Sequence, residues 1–171
     1  MTPFHDLDEF LALPRVSGLA VSPDGTRVVT TVSTLNTKRT EFVTAIWELD
    51  PAGGKPARRL TRGVKGESAP AFTADGDVLF LAVRPGEEDD KPPAALWRLP
   101  ASGGEAFEVL SLPGGVAGAA SATAADVTIV TAPLLANSVD DDKSLRERRK
   151  DNKVSAILHS GYPVRYWDHD L

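Results

Sequence analysis

A chain of 171 residues, 42% of them hydrophobic, is long enough for one globular domain with its own core. Its formal charge of -5 excludes a dedicated nucleic-acid binder, which needs a basic face, and the absence of cysteine excludes disulfides, thiolate nucleophiles and Cys-ligated zinc. No apolar run approaches the roughly 20 residues that cross a bilayer. The opening MTPFHDLDEFLALPRV carries Asp6, Asp8 and Glu9 where a secretory signal needs a basic start, so a cytoplasmic protein with no membrane partner is expected.

The chain begins as a short helix. Phe4, Leu7, Phe10 and Leu11 fall on one helical face, the three acids sit near its positive end, and Pro14 stops it. A helix this short needs packing against the strands after it. The pattern then becomes β: VSGLAVS and TRVVTTVS flank Pro23-Asp24-Gly25, a turn in which Pro presets φ, Asp bonds its own backbone and Gly accepts positive φ. A third strand reads as VTAIWELD, residues 43–50, followed by PAGG and a fourth strand near ARRLTR.

The programme then repeats. APAFTADGDVLFLAV restates GLAVSPDGTRVVTTV, with the Asp-Gly pair moving 51 residues, from Asp24 to Asp75. AALWRLPASGG restates TAIWELDPAGG, so Trp47 recurs 50 residues on as Trp97 and Gly53-Gly54 as Gly103-Gly104, and Leu60 recurs as Leu110. A third copy opens at VAGAASATAADVTIVTAP, with Asp126 where Asp75 predicts it. After Pro133 it gives way to a polar stretch in which Ser138 could cap a helix through DDDKSLRERRK.

Four short strands every 40 to 50 residues or so is the pattern of a β-propeller blade. The expected fold is therefore all-β: a partial β-propeller of two complete four-stranded blades and an incomplete third, behind a short N-terminal helix. The expected bounds are 1–15 for the leader helix, 16–65 for blade one, 66–115 for blade two and 116–171 for the partial third, with a charged insertion at 136–153. A ring of two and a fraction blades cannot close, so the expected partners are further blades or a missing domain, with self-association through open blade edges as an alternative.

These residues resemble the N-terminal part of the prolyl oligopeptidase family, most closely its acylaminoacyl-peptidase-like bacterial members. The resemblance rests on DLDEFLALPRVSGLAVSPDG, on the AIWELD…GG and ALWRLP…GG strands, on the charged RERRKDNKV stretch and on GYPVRYWDHDL at residues 161–171. It covers essentially this whole chain and a minority of a family member. It implies a propeller that gates a C-terminal α/β-hydrolase domain carrying a Ser-Asp-His triad, with short peptides as substrate. The competing reading is a non-enzymatic binding module similar to TolB-type repeat proteins, or a truncated gene product.

The chain itself offers no catalytic, cofactor or metal residues by sequence, so it is expected to be inactive alone and to need no cofactor. The nearest string to the G-x-S-x-G nucleophile elbow is Gly66-Glu67-Ser68-Ala69-Pro70, which ends in proline and enters a strand. The three histidines are His5, His159 and His169; Asp168-His169-Asp170 reads as a polar loop because no second cluster supplies further metal ligands. Glu87-Glu88-Asp89-Asp90 reads as solvated charge between Pro/Gly bounds, without the substrate-holding role of a glutamate pair in dipeptidyl peptidases of the wider family. Asp140 to Lys153, with six basic and five acidic residues, offers no phosphate-binding stripe. Trp47 and Trp97 read as core, and Arg165, Tyr166 and Trp167 either as packing within the blade or as a candidate channel or domain interface.

Overall fold

A computed structural model describes residues 4–84, 92–122, 124–125, 127–135 and 139–155. The chain divides into two compact units, 1–133 and 134–171.

The first unit opens with α1 (Leu7–Ala12). Asp6 caps it, its carboxylate accepting the N–H groups of Asp8 at 2.8 Å and Glu9 at 3.0 Å. Phe4 and Leu7 remain exposed while Phe10 and Leu11 are more covered. The helix is tied to Arg39 by a hydrogen bond of 2.9 Å from the guanidinium to the Asp8 carbonyl and by an ion pair with the Asp8 carboxylate at 3.8 Å, beside a tilted Phe4–Phe10 ring contact.

Two four-stranded antiparallel meanders come next. Blade one is β1 (Arg15–Val21), β2 (Val28–Leu35), β3 (Phe42–Leu49) and β4 (Arg58–Arg59), paired in chain order. Blade two is β5 (Glu67–Phe72), β6 (Val78–Ala82), β7 (Ala95–Leu99) and β8 (Phe107–Leu110), in the same order. A hairpin of β9 (Gly118–Ala122) and β10 (Val127–Thr131) begins a third sheet. The architecture is thus an all-β partial propeller.

The repeat holds at the level of register. In blade one Val28 faces Leu49 and Thr30 faces Trp47; in blade two Val78 faces Leu99 and Phe80 faces Trp97, each 50 residues on. Both first strands break their ladder at one place: between Ser17 and Leu19 in β1, and between Ser68 and Ala71 in β5. The bulged residue is left-handed both times, Gly18 at φ 62° and Ala69 at φ 52°. The alanine keeps this conformation against a steric cost of about 1–2 kcal/mol, so the bulge belongs to the blade and not to the glycine.

The sheets stack face to face, and side-chain alternation along a strand sends one set of residues to each neighbour. Val29 and Ile46 of blade one meet Phe72, Val78, Phe80 and Ala82 of blade two. On the other face of blade two, Leu79, Leu81 and Leu96 meet Ala119 and Val130 of the third hairpin, with Val116 between them. Every residue of β6 is buried as a result, which is why VLFLA reads as a continuous apolar run and not as an alternation. Each large side chain so buried is worth about 1.5–3 kcal/mol. Trp97 is half-buried and packs against the first of these clusters; Trp47 is half-buried.

In the second unit, α2 (Val139–Asp151) has three acids in its first turn and three basic residues in its last, a charge order that complements the helix dipole. Its single buried residue is Asp142, which accepts the Leu135 N–H at 2.6 Å and pairs with Arg146 at 2.7 Å one turn on. The arginine bond first, then the backbone N–H, hold this carboxyl below the usual aspartate range.

Candidate functional site

A meander places its β1–β2 and β3–β4 turns at one end of the blade, and its β2–β3 loop and the connection to the next blade at the other. The two ends differ in how their charges are used.

At the turn end the charges are matched to one another. Asp24 accepts from Ser22 Oγ at 2.6 Å and from Thr26 N–H at 3.0 Å, and these bonds, the Ser22 one foremost, push its carboxyl down to about 2. Arg27 pairs with Glu48 at 2.6 Å, donates to the Gly76 carbonyl of blade two at 2.8 Å and lies 5.3 Å from the Phe72 ring centre. Arg58 takes the second oxygen of Glu48 at 2.6 Å. Partial burial raises the Glu48 pKa, but bonds from Arg58 and Arg27 outweigh it and leave the pKa lowered. The cavity of about 260 Å³ bordered by Arg27, Glu48 and Arg58 is therefore lined by charges that already neutralise each other.

The connection end is organised around a buried carboxylate. Glu67, the first residue of β5, is 1% exposed. It accepts from Thr61 Oγ1 at 2.7 Å and from the Gly63 N–H at 2.6 Å, while Thr61 Oγ1 itself accepts the Ile46 N–H at 2.9 Å. A relay thus runs from the middle of β3 through the inter-blade connection into the first strand of blade two. A side chain at Gly63 would collide with the Glu67 carboxylate, so the glycine permits the close approach. Arg62 and Arg84 are exposed beside this relay. They border one cavity of about 370 Å³ with Gly63, Val64 and Val83, and a second of about 420 Å³ with Leu60, Leu99 and Glu105. The Arg84 guanidinium lies 3.9 Å from the ring centre of Trp97, whose buried Nε1–H has no hydrogen-bond acceptor among the described residues.

Arg165, Tyr166 and Trp167, the residues expected to form an interface, lie outside the described residues, as do Glu87 to Asp90, Asp126, Ser138, His159, His169 and the acids around it. His5 is exposed. Ser68 sits on β5 opposite Leu81, in a strand and not at a strand-to-helix elbow, and its neighbour Glu67 is sealed inside the relay. Among the described residues no group of three or more His, Asp or Glu side chains is placed to hold a metal, and no helix is long and apolar enough to cross a membrane. Sequence reasoning passed over Thr61, Glu67, Arg62 and Arg84. Their only trace is a polar residue just past the fourth strand, an acid opening the fifth, and basic residues after the fourth and sixth.

The fold places the chain among propeller proteins. It superposes on a solved structure given as TolB from Agrobacterium tumefaciens with a TM-score of 0.54 at 20% identity, over 70% of this chain and 39% of that one. In sequence it is 28% identical over 144 residues to a Bacillus subtilis protein named "Uncharacterized peptidase YuxL", covering 82% of this chain and 21% of that protein. The chain therefore spans about a fifth of the length of the curated relative it matches. No protein-family model matches it. The structural neighbour thus shares the propeller fold, and the sequence relative carries a peptidase name.

Proposed function

We propose that this chain is the N-terminal propeller segment of a cytoplasmic serine peptidase of the prolyl oligopeptidase type, close to the acylaminoacyl-peptidases. Its task is to admit and orient short peptides, while acyl transfer is carried out by a Ser-Asp-His triad on an α/β-hydrolase domain that is not part of these 171 residues. The observation that carries this reading is the match to a named peptidase across most of this chain but only a fifth of that relative. The exposed Val127 and Ile129 of the third hairpin support it, because a further sheet would cover them as blade two covers blade one. Arg165, Tyr166 and Trp167 belong to the channel or to the surface that meets the hydrolase domain in this proposal.

The second reading is a TolB-like binding module, favoured by the propeller likeness alone. Two measurements separate them. The reading frame beyond codon 171 is expected to encode further blades and a G-x-S-x-G strand–turn–helix; unrelated sequence there would leave the binding module. Purified chain is expected to leave acyl-alanine and dipeptide anilides uncleaved, and turnover that co-purifies with it through two columns and survives Ser68→Ala would overturn the placing of the triad elsewhere.

A further inference from the structure

Two Asp-Gly pairs, Asp24-Gly25 and Asp75-Gly76, occupy the same place in successive blades, the turn between the first and second strands. Their backbones match. The Gly25 N–H donates to the Ser22 carbonyl at 2.8 Å and the Gly76 N–H to the Thr73 carbonyl at 3.1 Å, and both glycines are left-handed, at φ 73° and 83°. What differs is the carboxylate. Asp24 accepts from Ser22 Oγ at 2.6 Å and from the Thr26 N–H at 3.0 Å, and Thr26 Oγ1 lies 2.9 Å from both of its oxygens. The Asp75 side chain is 77% exposed and accepts no hydrogen bond among the described residues. Its contact with Arg98 is 3.9 Å long, and that arginine is engaged by Asp77.

An aspartate followed by glycine has a reaction open to it that needs no catalyst. The main-chain nitrogen of the glycine attacks the side-chain carboxyl carbon, a C–N bond closes a five-membered succinimide, and one water leaves. Water then adds to one ring carbonyl and breaks its bond to that nitrogen. Opening at one carbonyl restores aspartate; opening at the other leaves an isoaspartyl linkage that runs through the side-chain carbon. The water lost is regained and nothing is oxidised or reduced. Glycine favours the attack because no Cβ shields its nitrogen. The carboxyl must swing round to that nitrogen, so each hydrogen bond that holds it elsewhere has to break first. The bonds on Asp24, the Ser22 one foremost, also push its carboxyl down to about 2, and an ionised carboxylate is the poorer acceptor of a nucleophile.

We propose that Asp75 is a site of spontaneous isoaspartate formation, with water as the only co-reactant, and that the Ser22 and Thr26 bonds protect Asp24 from the same reaction. The inference stands on this geometry and does not depend on the peptidase reading. The product carries one extra main-chain carbon just before Gly76, whose carbonyl receives the Arg27 guanidinium of blade one at 2.8 Å. Conversion therefore displaces the acceptor that ties the two turns together. Ageing the full chain at about pH 6 and about 37 °C tests this, followed by peptide mapping with fragmentation that distinguishes the two linkages. Isoaspartate at 75 is expected to accumulate at least tenfold faster than at 24 while the chain is folded. In denaturing guanidinium chloride, where the Asp24 bonds are gone, the two rates should come within about threefold of each other. Asp75→Glu, a change on the surface, should abolish the signal at 75. The urea midpoint of the unmutated chain should fall as conversion proceeds and stay constant in aged D75E. Equal rates in the folded chain, a tenfold ratio that persists after denaturation, no isoaspartate at 75, or a midpoint indifferent to conversion would each overturn the proposal.

Discussion

In blade one Arg27 on the β1–β2 turn pairs with Glu48 on β3; in blade two the equivalent positions, 50 residues on, hold Asp77 and Arg98, paired at 2.5 Å. The bridge is kept and its polarity is reversed. The turn after β3 or β7 explains the reversal. In blade one Asp50 begins the turn and accepts the N–H groups of Ala52 at 3.0 Å and Lys55 at 2.8 Å. In blade two Pro100 stands there with no carboxylate, and Asp77 reaches across the hairpin to accept the Ala101 N–H at 2.7 Å. An acid is therefore required at position 77 and a base opposite it. With its own turn capped by Asp50, blade one is free to place an arginine at 27, which then reaches the Gly76 carbonyl and ties the two turns together. Shared geometry with exchanged charge shows that the blade specifies where a pair sits, and local turn chemistry specifies its sign.

The largest difference between the blades is in their cores, and Phe80 tests it. It is 0% exposed and fills the space between the sheets, whereas its equivalent Thr30 is equally buried but bonds the Gly18 carbonyl at 2.6 Å. Phe80→Ala is expected to cost about 3–5 kcal/mol by urea denaturation, and Thr30→Val about 1 kcal/mol. Equal costs would mean that blade two is not clamped on both faces.

The buried relay comes next. Thr61→Val leaves the Ile46 N–H and the Glu67 carboxylate each short of a partner, and is expected to cost about 1–3 kcal/mol. The equivalent Ser111 is exposed, and Ser111→Val should change stability by less than about 0.5 kcal/mol. Similar losses at both sites would mean that the two inter-blade junctions are built alike.

Reversing the bridges should give smaller effects. A double-mutant cycle on Asp77 and Arg98 is expected to show coupling of about 1 kcal/mol, with D77R/R98D recovering part of what either single reversal loses. Recovery stays incomplete because Asp75, 3.9 Å from Arg98, would then face an aspartate. In blade one, R27E/E48R meets the matching obstacle in Arg58. Full recovery in either blade would show that the flanking charges carry no weight.

The smallest effect is the pH dependence of each pair. Partial burial raises the Asp77 pKa, but the Ala101 N–H and Arg98 outweigh it, so its folded pKa is lowered like that of Glu48. A lowered folded pKa means that the stabilisation is complete above the unfolded carboxylate value near ~4 and is lost as pH falls through the folded value. Chemical denaturation between pH 7 and about 2.5 should therefore show stability falling below about pH 4, with a shallower fall in D77N and E48Q. An unchanged slope in both variants would remove these pairs from the acid response.

Much of this molecule was legible as text because a blade is a local unit. The Trp47/Trp97 spacing, the Gly53/Gly103 turns and the apolar runs of β2 and β6 report strand, turn and repeat through contacts between neighbours in sequence, and α2 announces itself by the acids and bases at its ends. The helix through DDDKSLRERRK is found at Val139–Asp151. The bulge at Ala69 was not legible, since alanine carries no sign of a left-handed backbone that its ladder imposes. Asp24 and Asp75 look alike in sequence, yet only Asp24 caps its turn; in blade two Thr73 Oγ1 accepts the Asp77 N–H at 3.1 Å, and Asp75 remains exposed.

By itself, then, the order of residues determined strand lengths, turn positions and the 50-residue period, because these depend on side-chain alternation and on backbone preferences within a few residues. Only the folded chain decided which polar groups meet. Ile46, Thr61 and Glu67 join because stacking of sheets brings the end of one blade against the start of the next, and Arg84 meets Trp97 because the sheet aligns separate strands. Contacts of that kind depend on packing across sequence distance, and no local pattern encodes them.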